Sequence, residues 1–256
     1  MPPERPPLPW TVWLWAIVAL VLVGACGADP LATVGERASD WIGAPTVLTT
    51  ESTTVHGPSL AAVAREDWYN SDLAPVAGTT AAEIISAVYA RANPSEAFVQ
   101  ATPTEIALAL PGVVFPSLLP PEVRYITSQL VYDLSRVTLA SDQVAAFGLW
   151  TVEPYTRSRS VGQQGVLTVV PDAEGLAALA SGTADTSCSR FIDREADCSV
   201  LEVGDRPGWE LTDPLGTTLI WYGEAYRYEL FLRQGVNSAL AVDMAESARP
   251  LASLAR

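Results

Sequence analysis

The chain has 256 residues, 29 of them acidic and 15 basic, so its formal net charge is −14. Every basic residue is arginine, and His56 is the single histidine. A surface this acidic repels polyphosphate backbones, so we expect no nucleic-acid partner. The lack of lysine excludes P-loops, Schiff bases and Ser-x-x-Lys sites, and one histidine excludes two-histidine metal motifs. We therefore expect a non-enzymatic protein without a cofactor.

The N terminus has the pattern of an export signal. Arg5 supplies a charged start, residues 10–23 are almost entirely apolar, and the small residues Gly24 and Ala25 precede Cys26. This three-part arrangement is typical of a secretory signal, and the apolar run is shorter than the roughly 20 residues that cross a bilayer. The ending Val23-Gly24-Ala25-Cys26 resembles the lipobox of bacterial lipoproteins. That resemblance implies cleavage before Cys26 and acylation of its thiol and new amino terminus.

This ending divides the chain into a signal peptide (residues 1–25), a lipid-anchored tether (26–45) and a globular region (46–256). Anionic headgroups repel an acidic domain, so the lipid is the expected attachment to the extracytoplasmic face of the cell membrane. An uncleaved N-terminal helix and ordinary secretion are the alternatives. The arginine-only basic set and abundant alanine are typical of a high-GC genome of the actinobacterial type.

The first half of the globular region is predicted to be largely helical. Residues 46–56 form a predicted strand, and residues 60–69 a predicted helix. Thr80 and Glu83 make a capping box ahead of a second helix, and Thr102 with Glu105 begins a third that runs to residue 110. Prolines 116, 120 and 121 then indicate a boundary between a possible helical subdomain (58–121) and a sheet-rich one (122–256).

The second half is predicted to be mainly antiparallel sheet. Its predicted strands span residues 123–132, 146–153, 165–170, 199–203 and 209–211. Asp172 is placed to cap a helix over 173–180, and Asn237 or Ser238 a helix over 239–248. We therefore predict an α+β fold that ends in a hairpin followed by a terminal helix.

The last hairpin is predicted to turn at Gly223-Glu224. Such a turn places these pairs opposite each other on one apolar face, which the terminal helix would cover: Trp221 with Tyr226, Leu219 with Tyr228, Thr217 with Leu230, and Leu215 with Leu232. The opposite face is predicted to be wetter, with Thr218, Ile220, Tyr222, Arg227, Glu229 and Arg233. The stretch 215–250 resembles the C-terminal piece of uncharacterised envelope-anchored domains of Gram-positive bacteria. This resemblance implies no functional residue.

Two further motifs are candidates for local chemistry. Cys26 is used by the lipid, so Cys188 and Cys198 are left as a pair that we expect to form a disulfide outside the cytoplasm. Asp193, Glu195 and Asp197 resemble the first half of a calcium loop. The sixth and twelfth positions of that loop depart from the pattern, and a solvated acidic loop is the alternative.

Arg157 and Arg159 share one predicted loop and are candidates for an anion site, because guanidinium groups can bind a carboxylate or phosphate in bidentate fashion. Neutralisation of nearby acids is the alternative. Overall we expect a lipid-anchored binding or interaction module that holds an apolar envelope ligand, or that contacts a protein partner. A carboxylate-dependent hydrolase of envelope glycans and a structural subunit of an envelope complex are the alternative functions.

Overall fold

The structure is a computed structural model that describes residues 59–92, 98–131, 145–154, 162–191, 196–237 and 239–255. Its strands are β1 (Ala61–Ala62), β2 (Phe98–Gln100), β3 (Val114–Pro116), β4 (Leu118–Leu119), β5 (Tyr125–Val131), β6 (Ala145–Trp150), β7 (Gln163–Pro171), β8 (Asp197–Val203), β9 (Arg206–Asp213), β10 (Gly216–Tyr222), β11 (Tyr226–Arg233) and β12 (Ala248–Pro250). Its α-helices are α1 (Ala81–Tyr89), α2 (Pro103–Ala109), α3 (Ala173–Ala180), α4 (Ala239–Glu246) and α5 (Leu251–Leu254). The predicted α+β class is confirmed.

The centre of the fold is an eight-stranded sheet in the order β2-β5-β6-β7-β11-β10-β9-β8, with every neighbouring pair antiparallel. Two small sheets, β1 with β4 and β3 with β12, flank it. Helices α1, α2, α4 and α5 contribute to one hydrophobic cluster on a single face of the large sheet. That cluster contains Ile84 and Ile106 together with Phe147 and Leu219, so residues on both sides of position 121 share one core.

Local hydrogen bonds explain where the first two α-helices begin. Thr80 Oγ1 accepts the Glu83 N–H at 3.3 Å, and the Glu83 carboxylate accepts the Thr80 N–H at 3.1 Å. Thr102 and Glu105 repeat this reciprocal arrangement at the start of α2, with Pro103 at its first position. Each pair satisfies two N–H groups that a helix start would otherwise leave unpaired. Both predicted capping boxes are confirmed.

The prediction of a helix over residues 60–69 is wrong. This stretch instead contains β1, a short 3-10 helix (Arg65–Asp67) and an isolated bridge from Trp68 to Ile126. The Trp68 ring is buried and lies 4.9 Å from Phe115 and 6.1 Å from Phe147 between ring centroids. The Tyr69 N–H donates to the Ile126 carbonyl at 2.9 Å. Burial of the indole and pairing with β5 therefore override the local helical preference.

The hairpin of β10 and β11 forms, but its predicted register is wrong. Trp221 lies opposite Tyr228, and the last pair is Tyr222 with Arg227, so residues 223–225 join the two strands instead of the predicted two-residue turn. The Trp221 and Tyr228 rings are stacked, with centroids 5.2 Å apart and planes 16° apart. A shift of two residues keeps each side chain on its predicted face, because side chains alternate with period two. The apolar face is therefore buried as expected, except for Leu215, which lies exposed in the preceding turn.

The opposite face of this hairpin is drier than predicted. Ile220 and Tyr222 are only 2% and 1% exposed, and they form a second cluster with Trp209 and Leu211. Leu176 and Leu179 of α3, with both disulfide cysteines, pack on this cluster. The prediction of a wetter face was wrong because α3 covers it, and the residue pattern of the hairpin does not indicate where α3 packs.

The terminal helix is confirmed as α4, with Asn237 Oδ1 accepting the Ala239 N–H at 3.0 Å. Its buried residues, including Leu240 and Met244, join the cluster on the apolar face of the hairpin. The helix ends at Glu246 rather than at residue 248. Ala248 instead pairs with Pro116, as β12 forms a two-stranded sheet with β3.

Candidate functional site

A cleft of about 400 Å³ lies at the end of the sheet where β6 and β11 finish and β7 starts. Its lining comes from the turn before β5, from three sheet strands, and from the loop leading into α4. The lining residues are Ser59, Pro120, Pro121, Glu122, Val123, Leu149, Thr151, Gln164, Leu232, Gly235, Val236, Asn237 and Leu240.

Leu149 and Leu232 form apolar parts of the cleft on either side of Gly165. Gly165 pairs with Leu149 on one side and with Leu232 on the other. A Cβ at position 165 would lie 2.9 Å from Leu232 Cδ2 and 2.6 Å from the Phe231 carbonyl oxygen. Glycine therefore permits the close approach of the Leu232 side chain to this strand.

Pro120 and Pro121, two of the three prolines that indicated a boundary in the sequence, form one wall of the cleft. Pro120 accepts the Val123 N–H at 3.0 Å, which closes a turn. The following Arg124 N–H donates to the Trp150 carbonyl at 2.7 Å and joins this turn to the end of β6. The wall is therefore held by backbone hydrogen bonds next to the edge of the cleft.

The cleft is largely apolar and carries little charge. Among the described lining residues, the charged one is Glu122, whose side chain is exposed. Ser59, Thr151, Gln164 and Asn237 add uncharged polar groups. An apolar lining with a few polar groups is typical of small-molecule binding sites. The chemistry of this lining suits a ligand with an apolar part and without negative charge.

A partly buried ionic cluster joins α3 to the opposite face of the sheet. Asp172 Oδ1 accepts the Gly175 N–H at 2.9 Å and caps α3 as predicted. Its Oδ2 accepts hydrogen bonds from the Tyr222 hydroxyl at 2.8 Å and from Arg227 Nη1 at 3.0 Å. Arg227 Nη2 lies 3.0 Å from Glu229 Oε1.

In this cluster the single cation Arg227 is shared by two carboxylates, Asp172 and Glu229. Burial raises the pKa of Asp172, but hydrogen bonds from Gly175 and Tyr222 and the charge of Arg227 outweigh it, so the pKa is lowered. Burial likewise opposes the charge on Arg227, but the carboxylates of Glu229 and Asp172 leave its pKa raised. The arrangement is that of a structural ion cluster, since each carboxylate already has a cationic partner.

A buried carboxylate, Glu105, organises the helical side. It is 3% exposed and accepts the Val76 N–H at 2.9 Å and the Thr102 N–H at 2.8 Å. Arg91 binds both carboxylate oxygens, at 2.9 and 3.1 Å, and also donates to the Ala74 carbonyl. The sequence identified Glu105 as a capping residue only. The link to Arg91 requires α1 and α2 to be packed together, which no short motif encodes.

The predicted disulfide is confirmed. Cys188, in a 3-10 helix (Cys188–Phe191), is bonded to Cys198 in β8, with 5.9 Å between their Cα atoms. Asp197 of the calcium candidate is the exposed first residue of β8, whereas Asp193 and Glu195 lie outside the described residues. In the part of the chain that the structure describes, no group of three or more His, Cys, Asp or Glu is placed to hold a metal ion.

The remaining sequence candidates, Cys26, His56, Arg157 and Arg159, also lie outside the described residues. Comparisons with protein-family models, curated proteins and solved structures find no match to this chain. None of the helices in the described ranges is long and apolar enough to span a bilayer. Function is therefore inferred from the chemistry of the residues themselves.

Proposed function

We propose that this protein is a non-enzymatic binding or interaction module, held on the extracytoplasmic face of the cell membrane by a lipid on Cys26. We further propose that the cleft binds the apolar part of an envelope ligand. The observation that carries this proposal is the convergence of apolar side chains from separate elements on one cleft, including Val123, Leu149, Leu232 and Val236.

The size and charge of the cleft define the ligand class. Its volume of about 400 Å³ lies within the range of about 300–1,000 Å³ for small-molecule sites. Glu122 at its lining and the net charge of −14 disfavour an anionic headgroup. The ligand is therefore a neutral or cationic molecule with an apolar portion.

The described core supports binding in the cleft rather than between the sheet and the helices. Trp68, Phe115 and Phe147 contact one another there, with ring centroids 4.9 to 6.1 Å apart. Ile106, Ile126 and Leu130 are fully buried in the same cluster. Protein interiors packed in this way leave few voids larger than a water molecule. The ligand would therefore enter at the end of the sheet.

Native mass spectrometry of full-length protein purified from its own host tests ligand binding. We expect a co-purifying neutral or cationic lipid that is lost in Val236→Asp, which places a charge in the cleft. Leu108→Asp is the matched control, because Leu108 is exposed on α2 and does not line the cleft. Thermal unfolding would verify that both variants fold. A ligand-free wild type, or equal retention by both variants, would contradict the proposal.

The anchor is tested separately by metabolic labelling with a fatty acid. We expect the wild type to be labelled and to fractionate with membranes, and Cys26→Ala to lose the label. An unlabelled protein that still fractionates with membranes would support the uncleaved N-terminal helix instead. An unlabelled protein in the soluble fraction would support ordinary secretion.

A carboxylate-dependent glycan hydrolase and a structural envelope subunit are the alternatives. The hydrolase needs two carboxyl groups about 5–10 Å apart. Glu122 is the one carboxylate among the described lining residues, so the cleft favours binding over hydrolysis. Release of reducing ends from envelope glycan, abolished in Glu122→Gln, would favour the hydrolase. A fixed set of partners after mild crosslinking would favour the structural subunit.

A further inference from the structure

The eight-stranded sheet ends at β8, and within the described residues no strand pairs with its outer side. The six strands between β2 and β8 are each paired on both sides. β8 spans Asp197–Val203, and four of its seven residues are exposed. An edge strand of this kind presents backbone N–H and C=O groups that can pair with another extended chain.

The turn into β9 determines which of these groups point outward. Val203 and Arg206 pair across the turn formed by Gly204 and Asp205. Residues that flank a two-residue turn exchange both of their N–H···O bonds, and bonded pairs then alternate along the strands. Leu201 and Ser199 therefore bond to β9. The backbone groups that face the open edge belong to the intervening residues Cys198, Val200 and Glu202.

The edge strand is tied to the rest of the fold near both of its ends. The disulfide to Cys188 holds its N-terminal part against the second hydrophobic cluster. At the other end, the Gly204 N–H donates to Glu246 Oε1 at 3.2 Å, which joins the turn to α4. A strand that is already ordered loses little conformational entropy when a partner adds to it. The open edge is therefore preorganised for binding.

The side chains along this edge define the partner. Val200 is 50% exposed at the centre of β8. Asp197 and Glu202 are exposed on either side of it, and in the turn the 99% exposed Asp205 side chain lies 4.0 Å from Arg206 Nε. This arrangement places an apolar contact between negative charges. A complementary strand carries a central apolar residue and basic residues near its ends.

We propose that β8 is the docking site for an extended, basic segment of another polypeptide, which adds to the sheet as a further strand. Backbone hydrogen bonds to Cys198, Val200 and Glu202 provide the register, and the acidic residues select a basic segment. The net charge of −14 disfavours a second copy of this chain as the occupant, because both copies would carry the same excess of acid.

The decisive variant is Val200→Pro in the full chain with its disulfide intact. Proline removes an N–H that faces the open edge and leaves the bonds to β9 in place, as is tolerated on edge strands. Val200→Thr is the matched control, because it keeps the N–H and the β-branched shape. The probe is a labelled peptide of alternating valine and arginine, whose binding is followed by fluorescence anisotropy.

We expect Val200→Pro to weaken peptide binding roughly tenfold, since a backbone hydrogen bond and the strand fit are both lost, and Val200→Thr to stay within about threefold. The same peptide methylated on every backbone nitrogen keeps its charge and loses all of its backbone donors, so it should bind the wild type at least tenfold more weakly than the unmodified peptide. This comparison uses wild-type protein only, so it remains decisive if Val200→Pro fails to fold.

Equal binding of the methylated and unmodified peptides would show charge attraction alone and would overturn the proposal. A wild-type dimer that Val200→Pro converts to monomer, detected by analytical ultracentrifugation, would assign the edge to a second copy and would also overturn it.

Discussion

Trp221 and Tyr228 stack across the last hairpin, and their 5.2 Å contact sets the register of β10 against β11. Tyr228 is also tied to the helical side, because its hydroxyl accepts the Val114 N–H at 3.1 Å. This aromatic pair therefore joins the central sheet to β3. Register here depends on a side-chain pair and a long-range hydrogen bond rather than on the shortest possible turn.

Loss of the Trp221 side chain should lower the stability of the folded protein. Trp221→Ala removes a buried indole and its stacking contact with Tyr228, and we expect the free energy of unfolding to fall by about 3–5 kcal/mol. Urea denaturation followed by far-ultraviolet circular dichroism measures the change. Leu215→Ala is the control, since Leu215 is exposed in the adjacent turn and should change stability by less than about 0.5 kcal/mol.

Alkaline pH should destabilise the protein through Tyr228. Burial raises the pKa of Tyr228 from 10.0 to about 12. The unfolded chain therefore releases this proton at a lower pH than the folded chain, and stability is lost as pH rises from about 10 towards 12. The loss is on the order of 2–3 kcal/mol.

Chemical denaturation at pH 9 and at pH 11.5 tests this behaviour, with Tyr228→Phe as the control. We expect the decline to be smaller in Tyr228→Phe, and Tyr226, whose pKa burial also raises, accounts for part of what is left. A decline of the same size in both proteins would show that Tyr228 does not cause it.

Removal of Arg91 should be costly because it leaves the carboxylate of Glu105 buried without a cation. We expect Arg91→Met to lower the free energy of unfolding by about 3 kcal/mol. The second change Glu105→Leu in the same chain should recover part of this loss, because it removes the unpaired charge. Equilibrium denaturation of the single and double variants measures both effects, and additive losses would contradict the pairing.

Reduction of the disulfide should lower stability and loosen the edge of the sheet. Replacement of Cys188 and Cys198 by serine is expected to cost about 2–4 kcal/mol in the free energy of unfolding. Hydrogen exchange should also quicken along β8, while β5 and β6 remain protected. An unchanged exchange rate in β8 would show that pairing with β9 is sufficient to protect this strand and that the disulfide does not contribute.

The features that the sequence predicted correctly depend on residues close together in the chain. The caps formed by Thr80, Thr102 and Asp172 each use a hydrogen bond to a residue three positions later. The loop closed by Cys188 and Cys198 spans ten positions. Short separations leave few alternatives, so composition and spacing were sufficient to indicate these elements and the α+β class.

Tertiary structure decided the features that join distant residues. Trp68 lies outside a helix because its ring packs against Phe115 and Phe147. Tyr222 is buried because α3, linked to it through Asp172, packs on that face of the sheet. The cleft likewise collects residues from 59 to 240. Such contacts form only once the sheet has brought remote segments together, and a linear pattern contains no information about that proximity. The export signal and the acylation of Cys26 lie outside the described residues and stay predictions from the sequence.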